Sequence, residues 1–193
     1  MIDTNYFKSV RILDGGMGQE LLSKGLQSKG SLWSASALLE KKYHQLVIDA
    51  HLNFINAGAN VIVTNNFSAR RVRMIENKVN DQFEYANKIA GELALKAKEL
   101  SKKNIMIAGS LPAQNDTYVK DERDSKIIES GFLDQALCLQ QYVDFYYLDV
   151  MSSLRECQIA LSVTEKIKIP ALVGLHIKAV SYTHLRAHET REE

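Results

Sequence analysis

The stretch Ile12-Leu13-Asp14-Gly15-Gly16-Met17-Gly18-Gln19-Glu20-Leu21-Leu22 carries a short apolar run into a carboxylate, through three glycines and on into a helical period. Glycine lets a backbone approach a ligand closely, and the start of a helix offers free N–H groups and a partial positive charge. An acceptor carboxylate beside such an anion cradle suits a zwitterionic amino acid. Gly16-Met17-Gly18 also begins a GxGxxG pattern. Leu21 stands where the third glycine belongs, however, and Asp14 would face a pyrophosphate with like charge, which argues against a dinucleotide. A plain glycine-rich strand-to-helix turn is the remaining alternative.

Working outward, β-branched runs alternate with segments of helical period, the signature of βαβ units and a parallel sheet. Val10-Arg11-Ile12-Leu13 is the first expected strand, followed by Asn60 to Thr64, Ile105 to Ala108, Asp144 to Leu148 and Ala171 to Leu175. Each is nearly continuous in apolar residues, as burial on both faces requires. Helices are expected over Tyr43 to Ala57, Asp81 to Ser101, Ser125 to Tyr142 and Ser153 to Lys166. In the second of these, Phe83, Ala86, Ile89, Ala90, Leu93 and Ala97 recur at three and four residues. Gly58 stands at a helix stop, and Pro170 at a strand start where its missing N–H costs least. Periodicity alone leaves an open doubly wound sheet and a barrel both possible. Long loops after strand C-terminal ends, Gly25 to Lys42 and Leu111 to Asp124, lean toward a barrel.

Composition narrows the function classes. The chain has 193 residues, 46% of them hydrophobic, with 24 Lys and Arg against 23 Asp and Glu and a net charge of +1. That is enough to bury a core and gives no electrostatic footprint for nucleic acid or an anionic membrane. The N-terminus has no apolar signal core and no segment has the length of a membrane span, so the cytoplasm is the expected compartment. Cys138 and Cys157, both in helical segments, form neither a disulfide framework nor a CxxC metal site and read as buried thiols.

A second carboxylate, Asp149, ends the fourth expected strand. In a parallel barrel it would share a mouth with Asp14, although it reads equally well as the start of a helix cap. Arg70, Arg71 and Arg73 form a basic run that reads as a solvated helix face. The charge-rich segment 179–193 has no apolar face and resembles a translated sequencing adapter. We read it as a non-native tail and discount its His184 and His188, despite their metal-like i, i+4 spacing.

Ile12 to Gly18, Leu32-Trp33-Ser34-Ala35, Ala57 to Asn65 and Ala108-Gly109-Ser110-Leu111-Pro112, in that order, resemble the N-terminal motifs of homocysteine S-methyltransferases. The resemblance runs from about Val10 to Lys178. It implies an α/β fold in which residues 1–178 form the N-terminal part of a homocysteine-binding TIM (β/α)8 barrel. That part comprises about the first five strands, cut off before the C-terminal portion, so the first and fifth would be open edges.

The implied function is transfer of a methyl group from S-methylmethionine or a similar donor to homocysteine, giving methionine. Homocysteine and the methyl donor are then the expected partners. The family pattern places the amino acid end of homocysteine on Asp14 and Gly15, with Gly16 in the same turn, and Trp33 and Phe67 beside the methyl donor. Tyr118 is a lesser candidate. An aromatic face attracts an onium cation. Where the family carries Glu-Thr, this chain has Asp149-Val150, one methylene shorter.

The resemblance also implies zinc on three cysteines, one after a later strand and two adjacent near the C-terminus. Cys138 and Cys157 do not match that pattern, so the zinc ligands are absent from this chain, which is expected to be inactive alone. No residue receives a catalytic role from the sequence. Two other readings stay open: the homocysteine module of a larger betaine- or folate-linked methyltransferase, and a non-catalytic amino acid-binding barrel.

Overall fold

The computed structural model describes residues 4–177; the tail at 179–193, with His184 and His188, lies outside them. After a 3-10 turn at Thr4–Lys8 the elements run α1 (Met17–Ser23), α2 (Ser36–Leu39), α3 (His44–Ala57), β1 (Val61–Val63), α4 (Arg71–Glu76), α5 (Phe83–Ser101), β2 (Met106–Pro112), α6 (Ser125–Leu139), β3 (Phe145–Met151), α7 (Leu154–Ile167) and β4 (Ala171–Leu175). The four strands form one parallel sheet in sequence order, each joined to the next through helix on the outside.

The expected first strand is corrected. Val10 to Leu13 contributes a single parallel bridge, Leu13 to Val61, rather than a ladder. Ile12 O accepts from the N–H groups of Asn60 and Val61, and Asp14 N–H donates to Val61 O. Upstream of this the segment leaves the sheet, with Val10 89% and Ile12 56% exposed. It has a strand neighbour on one side only among the described residues, and one-sided pairing without burial does not hold an extended ladder. The other four strands lie where the β-branched runs put them, although β2 and β3 each run further toward the C-terminal end.

Strand alternation divides the core. Ile62 and Ile107 point outward into a cluster with α3 and α5, including Val47, Ile55, Ala90 and Leu93. Leu111, Tyr146 and Leu148 do the same beneath α6 and α7, against Ile128, Phe132, Ala160 and Val163. On the concave face, Val61, Ala108 and Phe145 meet Tyr6, Leu13, Val63, Tyr147 and Leu172. Period-2 burial on both faces explains why the strands read as continuous apolar runs. Gly58, at φ 114°, ends α3 in a left-handed conformation and turns the chain directly into β1. The thiols of Cys138 and Cys157 are free and buried on helices outside the sheet.

Candidate active site

A cavity of about 600 Å³ opens at the C-terminal ends of the strands, the end at which parallel barrels build their sites. Asp14, Gly15, Gly16, Trp33, Phe67 and Asp149 all line it, and so does Tyr118. The five segments that carry these residues, far apart in sequence, converge because every βα connection leaves the sheet at the same end.

Asp14 follows the bridging segment, and its Oδ2 accepts from the Val63 N–H at 2.8 Å. Burial raises its carboxyl to about 7; the Val63 N–H opposes the rise and the charge of Asp149 adds to it. Asp149 remains in β3, paired with Pro112 of β2, and burial lifts it to about 6. It is not a helix cap, since Ser153 caps α7 by accepting from the Glu156 N–H. Ser110 Oγ is buried without a well-formed hydrogen bond, and its pull on Asp149 partly offsets the burial. Two buried carboxylates lining one cavity, with the charge of Asp149 felt at Asp14, form a ready counter-charge for a ligand ammonium.

The glycines of the first loop have a more particular use than ligand approach alone. A Cβ on Gly18 would lie 2.7 Å from the Trp33 ring, and one on Gly15 would lie 2.8 Å from the Phe54 ring of α3. These positions are glycine because aromatic rings already occupy the space. Gly16 lies in the open and forms the N-terminal boundary of α1, with no side-chain cap on that helix start. Trp33 stays 39% exposed at the cavity rim, and Asn65 Nδ2 anchors its loop by donating to Ser34 O at 3.1 Å.

Three of the six non-glycine residues with positive φ among the described residues lie at the same rim. Trp33 (φ 46°), Tyr118 (φ 68°) and Val150 (φ 58°) occupy the left-handed region, and all three line the cavity. Such conformations cost on the order of 1–3 kcal/mol each and persist where surrounding structure imposes them. Val150, directly after Asp149, falls within an irregularity in β3–β4 pairing between Leu148 and Met151. Tyr118 packs against His176 beyond β4, with ring centroids 4.6 Å apart and planes tilted by 60°.

A buried polar network underlies the cavity floor. Thr64 Oγ1 donates to Asn66 Oδ1 and accepts from the Ser110 N–H, while Asn66 Nδ2 donates to both Asn87 Oδ1 and Ser110 O. These bonds lock the end of β1 to the middle of β2. The sequence reading missed them, and it also misplaced Arg70. That residue is 1% exposed and lines the cavity, so it belongs to no solvated face. Arg71 and Arg73 are half-buried, paired with Asp134 and with Glu76 and Asp116 respectively.

Among the described residues no group of three His, Cys, Asp or Glu side chains could hold a metal ion. Neither cysteine lines the cavity, and burial raises both thiols above their ordinary range, which disfavours the thiolate that a metal needs. The described residues therefore do not fit a zinc centre, and no helix among them is long and apolar enough to cross a membrane.

Comparison with known proteins agrees with the geometry. The chain is 33% identical over 110 residues to homocysteine S-methyltransferase 2 of Zea mays, covering 56% of this chain and 31% of that protein. It is 26% identical over 164 residues to the S-methylmethionine–homocysteine S-methyltransferase BHMT2 of Rattus norvegicus, covering 85% of this chain and 42% of the relative. The chain thus spans less than half the length of these two curated relatives. Its fold matches the metallated form of the homocysteine methyltransferase MmuM from Escherichia coli with a TM-score of 0.73 at 21% identity, over 87% of this chain and 64% of the other. The observed sheet is accordingly part of a (β/α)8 barrel. A family model described as homocysteine S-methyltransferase matches residues 11–193, and the chain belongs to that family.

Proposed function

We propose that this chain supplies the homocysteine site of an enzyme that transfers a methyl group from S-methylmethionine or a similar onium donor to homocysteine, giving methionine in the cytoplasm. The observation that carries the reading is the meeting of Asp14 and Asp149 with the Gly15-Gly16 turn in one cavity. In this reading the paired carboxylates take the homocysteine ammonium and the turn at the start of α1 takes its carboxylate. The thiol is then directed toward the rim, where Trp33 and Phe67 offer aromatic faces to an onium carbon donor. Asp14 and Asp149 bind and orient, and neither reacts.

Zinc, which the family resemblance implies for activating the thiol, finds no ligand set among the described residues. Asp149-Val150, standing where the resemblance has Glu-Thr, favours one rival, a barrel that binds an amino acid without catalysis. The test is methyl transfer from labelled S-methylmethionine and from betaine to homocysteine by the full-length protein, with and without added zinc. Labelled methionine supports the methyltransferase; homocysteine binding without turnover supports the rival.

A further inference from the structure

A cation that the homocysteine reading does not use lines the same cavity. Arg70 Nη1 donates to Ala113 O at 2.6 Å and Nη2 donates to Thr117 Oγ1 at 3.0 Å, both neutral oxygens. Its Nε–H is buried without a partner. The carboxylates near it are engaged elsewhere: Asp116 and Glu76 pair with Arg73, and Glu156 accepts from Gln114 N–H. Burial lowers Arg70 to about 10, so at neutral pH it is still a cation. A buried guanidinium without a carboxylate partner is costly unless something else meets its charge.

Arg70 could serve only to brace the loop from Ala113 to Thr117. That role accounts for Nη1 and Nη2, but not for the orphaned Nε–H of a guanidinium at the cavity wall that Asp116, Glu76 and Glu156 reach only from beyond ion-pair distance. Its carbon lies 5.3 Å from the centroid of the Phe67 ring, one of the two aromatic faces at the rim, so the guanidinium sits on the side of the cavity that the reading above gives to the methyl donor.

We propose that Arg70 forms a carboxylate subsite for the methyl donor, so that the cavity selects onium compounds carrying a carboxylate a few bonds from the onium centre. This rests on the function proposed above, because it takes the Asp14 and Asp149 end as occupied by homocysteine. Guanidinium is suited to the role, since its planar fork meets a carboxylate with paired, charge-assisted hydrogen bonds.

The test is equilibrium titration of the full-length protein, without homocysteine so that no methyl is transferred, with dimethylsulfoniopropionate and with its methyl ester, which differ in the carboxylate charge and one methyl group; homocysteine is titrated separately. The native protein should bind the acid roughly tenfold or more tightly than the ester. Arg70→Gln should bring the two affinities within about threefold, Arg70→Lys should keep part of the preference, and homocysteine affinity should stay within about twofold throughout. A native protein that does not distinguish acid from ester, or binds neither, overturns the subsite. So does an Arg70→Gln protein that keeps the preference, or one that loses homocysteine affinity in step, as a loop brace would. Should Arg70→Gln fail to fold, the native ratio and Arg70→Lys decide. Failure of the native protein to bind homocysteine at all contradicts the proposed function itself, a separate result.

Discussion

The Oδ2 atom of Asp14 accepts a 2.8 Å hydrogen bond from the main-chain N–H of Val63, so the acid of the first loop is fastened to the last residue of β1. A single bridge from Leu13 to Val61 secures the chain just before it. The carboxylate thus keeps its place although the segment that carries it forms no ladder, and its burial sets up a pH dependence.

With Asp14 raised to about 7, part of the population is protonated at neutral pH, and only the ionised form pairs with an ammonium. Homocysteine affinity should therefore rise as pH increases from about 5 to 8, with proton release on binding that fades above pH 7. Calorimetry in buffers of different ionisation enthalpy measures this release. In Asp14→Asn the portion of the pH dependence that belongs to Asp14 should vanish.

Asp149→Glu lengthens the second carboxylate by one methylene and restores the acid type that the family pattern carries. Homocysteine affinity should be equal or higher if this side chain reaches the same ammonium. A drop of tenfold or more, read by titration, would place Asp149 in another role.

Gly18→Ala sets a methyl 2.7 Å from the Trp33 ring, so the ring or the α1 backbone must shift. Overpacking of this kind costs about 1–3 kcal/mol, which denaturant unfolding should register together with a changed near-ultraviolet signal from Trp33, the sole tryptophan. Onium binding should weaken with it if Trp33 faces the donor.

His51, fully buried on α3, has both ring nitrogens without partners, and burial lowers it to about 4. A depressed histidine contributes stability that is present above its unfolded value near 6.5 and lost as pH falls through 4. Asp14 acts in the opposite sense, since a carboxyl raised to about 7 favours the folded state as pH falls from 7 toward 4. Comparing unfolding of His51→Leu with the native protein isolates the histidine. The variant should be as stable at pH 7.5, and should lose less stability between pH 6.5 and 4.

Most of the fold was legible because two-sided burial imprints itself locally: Val61–Val63 and Ala171–Leu175 are continuous apolar runs flanked by Gly58 and Pro170. The first strand was not, because whether Val10 to Leu13 forms a ladder depends on neighbours to which its own residues give no clue. For the site, the sequence set Asp14 and Asp149 at the ends of two expected strands, and the structure brings both to one cavity. Arg70 was hidden by its company. It stands just before the six-residue helix that carries Arg71 and Arg73, too short to display a face, and takes the extended conformation just outside α4. Its partners Ala113 and Thr117 come from a loop more than forty residues away. Likewise Asn66 and Ser110 find each other only through the register of β1 on β2.

The central claim is that the Asp14 end of the cavity holds the homocysteine ammonium. Titration of homocysteine into the full-length protein and its Asp14→Asn variant at pH 7.5 tests it most directly. A buried charge-assisted contact contributes roughly 1.5–3 kcal/mol, so affinity should fall by about one to two orders of magnitude in the variant while the fold is retained. Equal affinity in the two proteins would contradict the assignment.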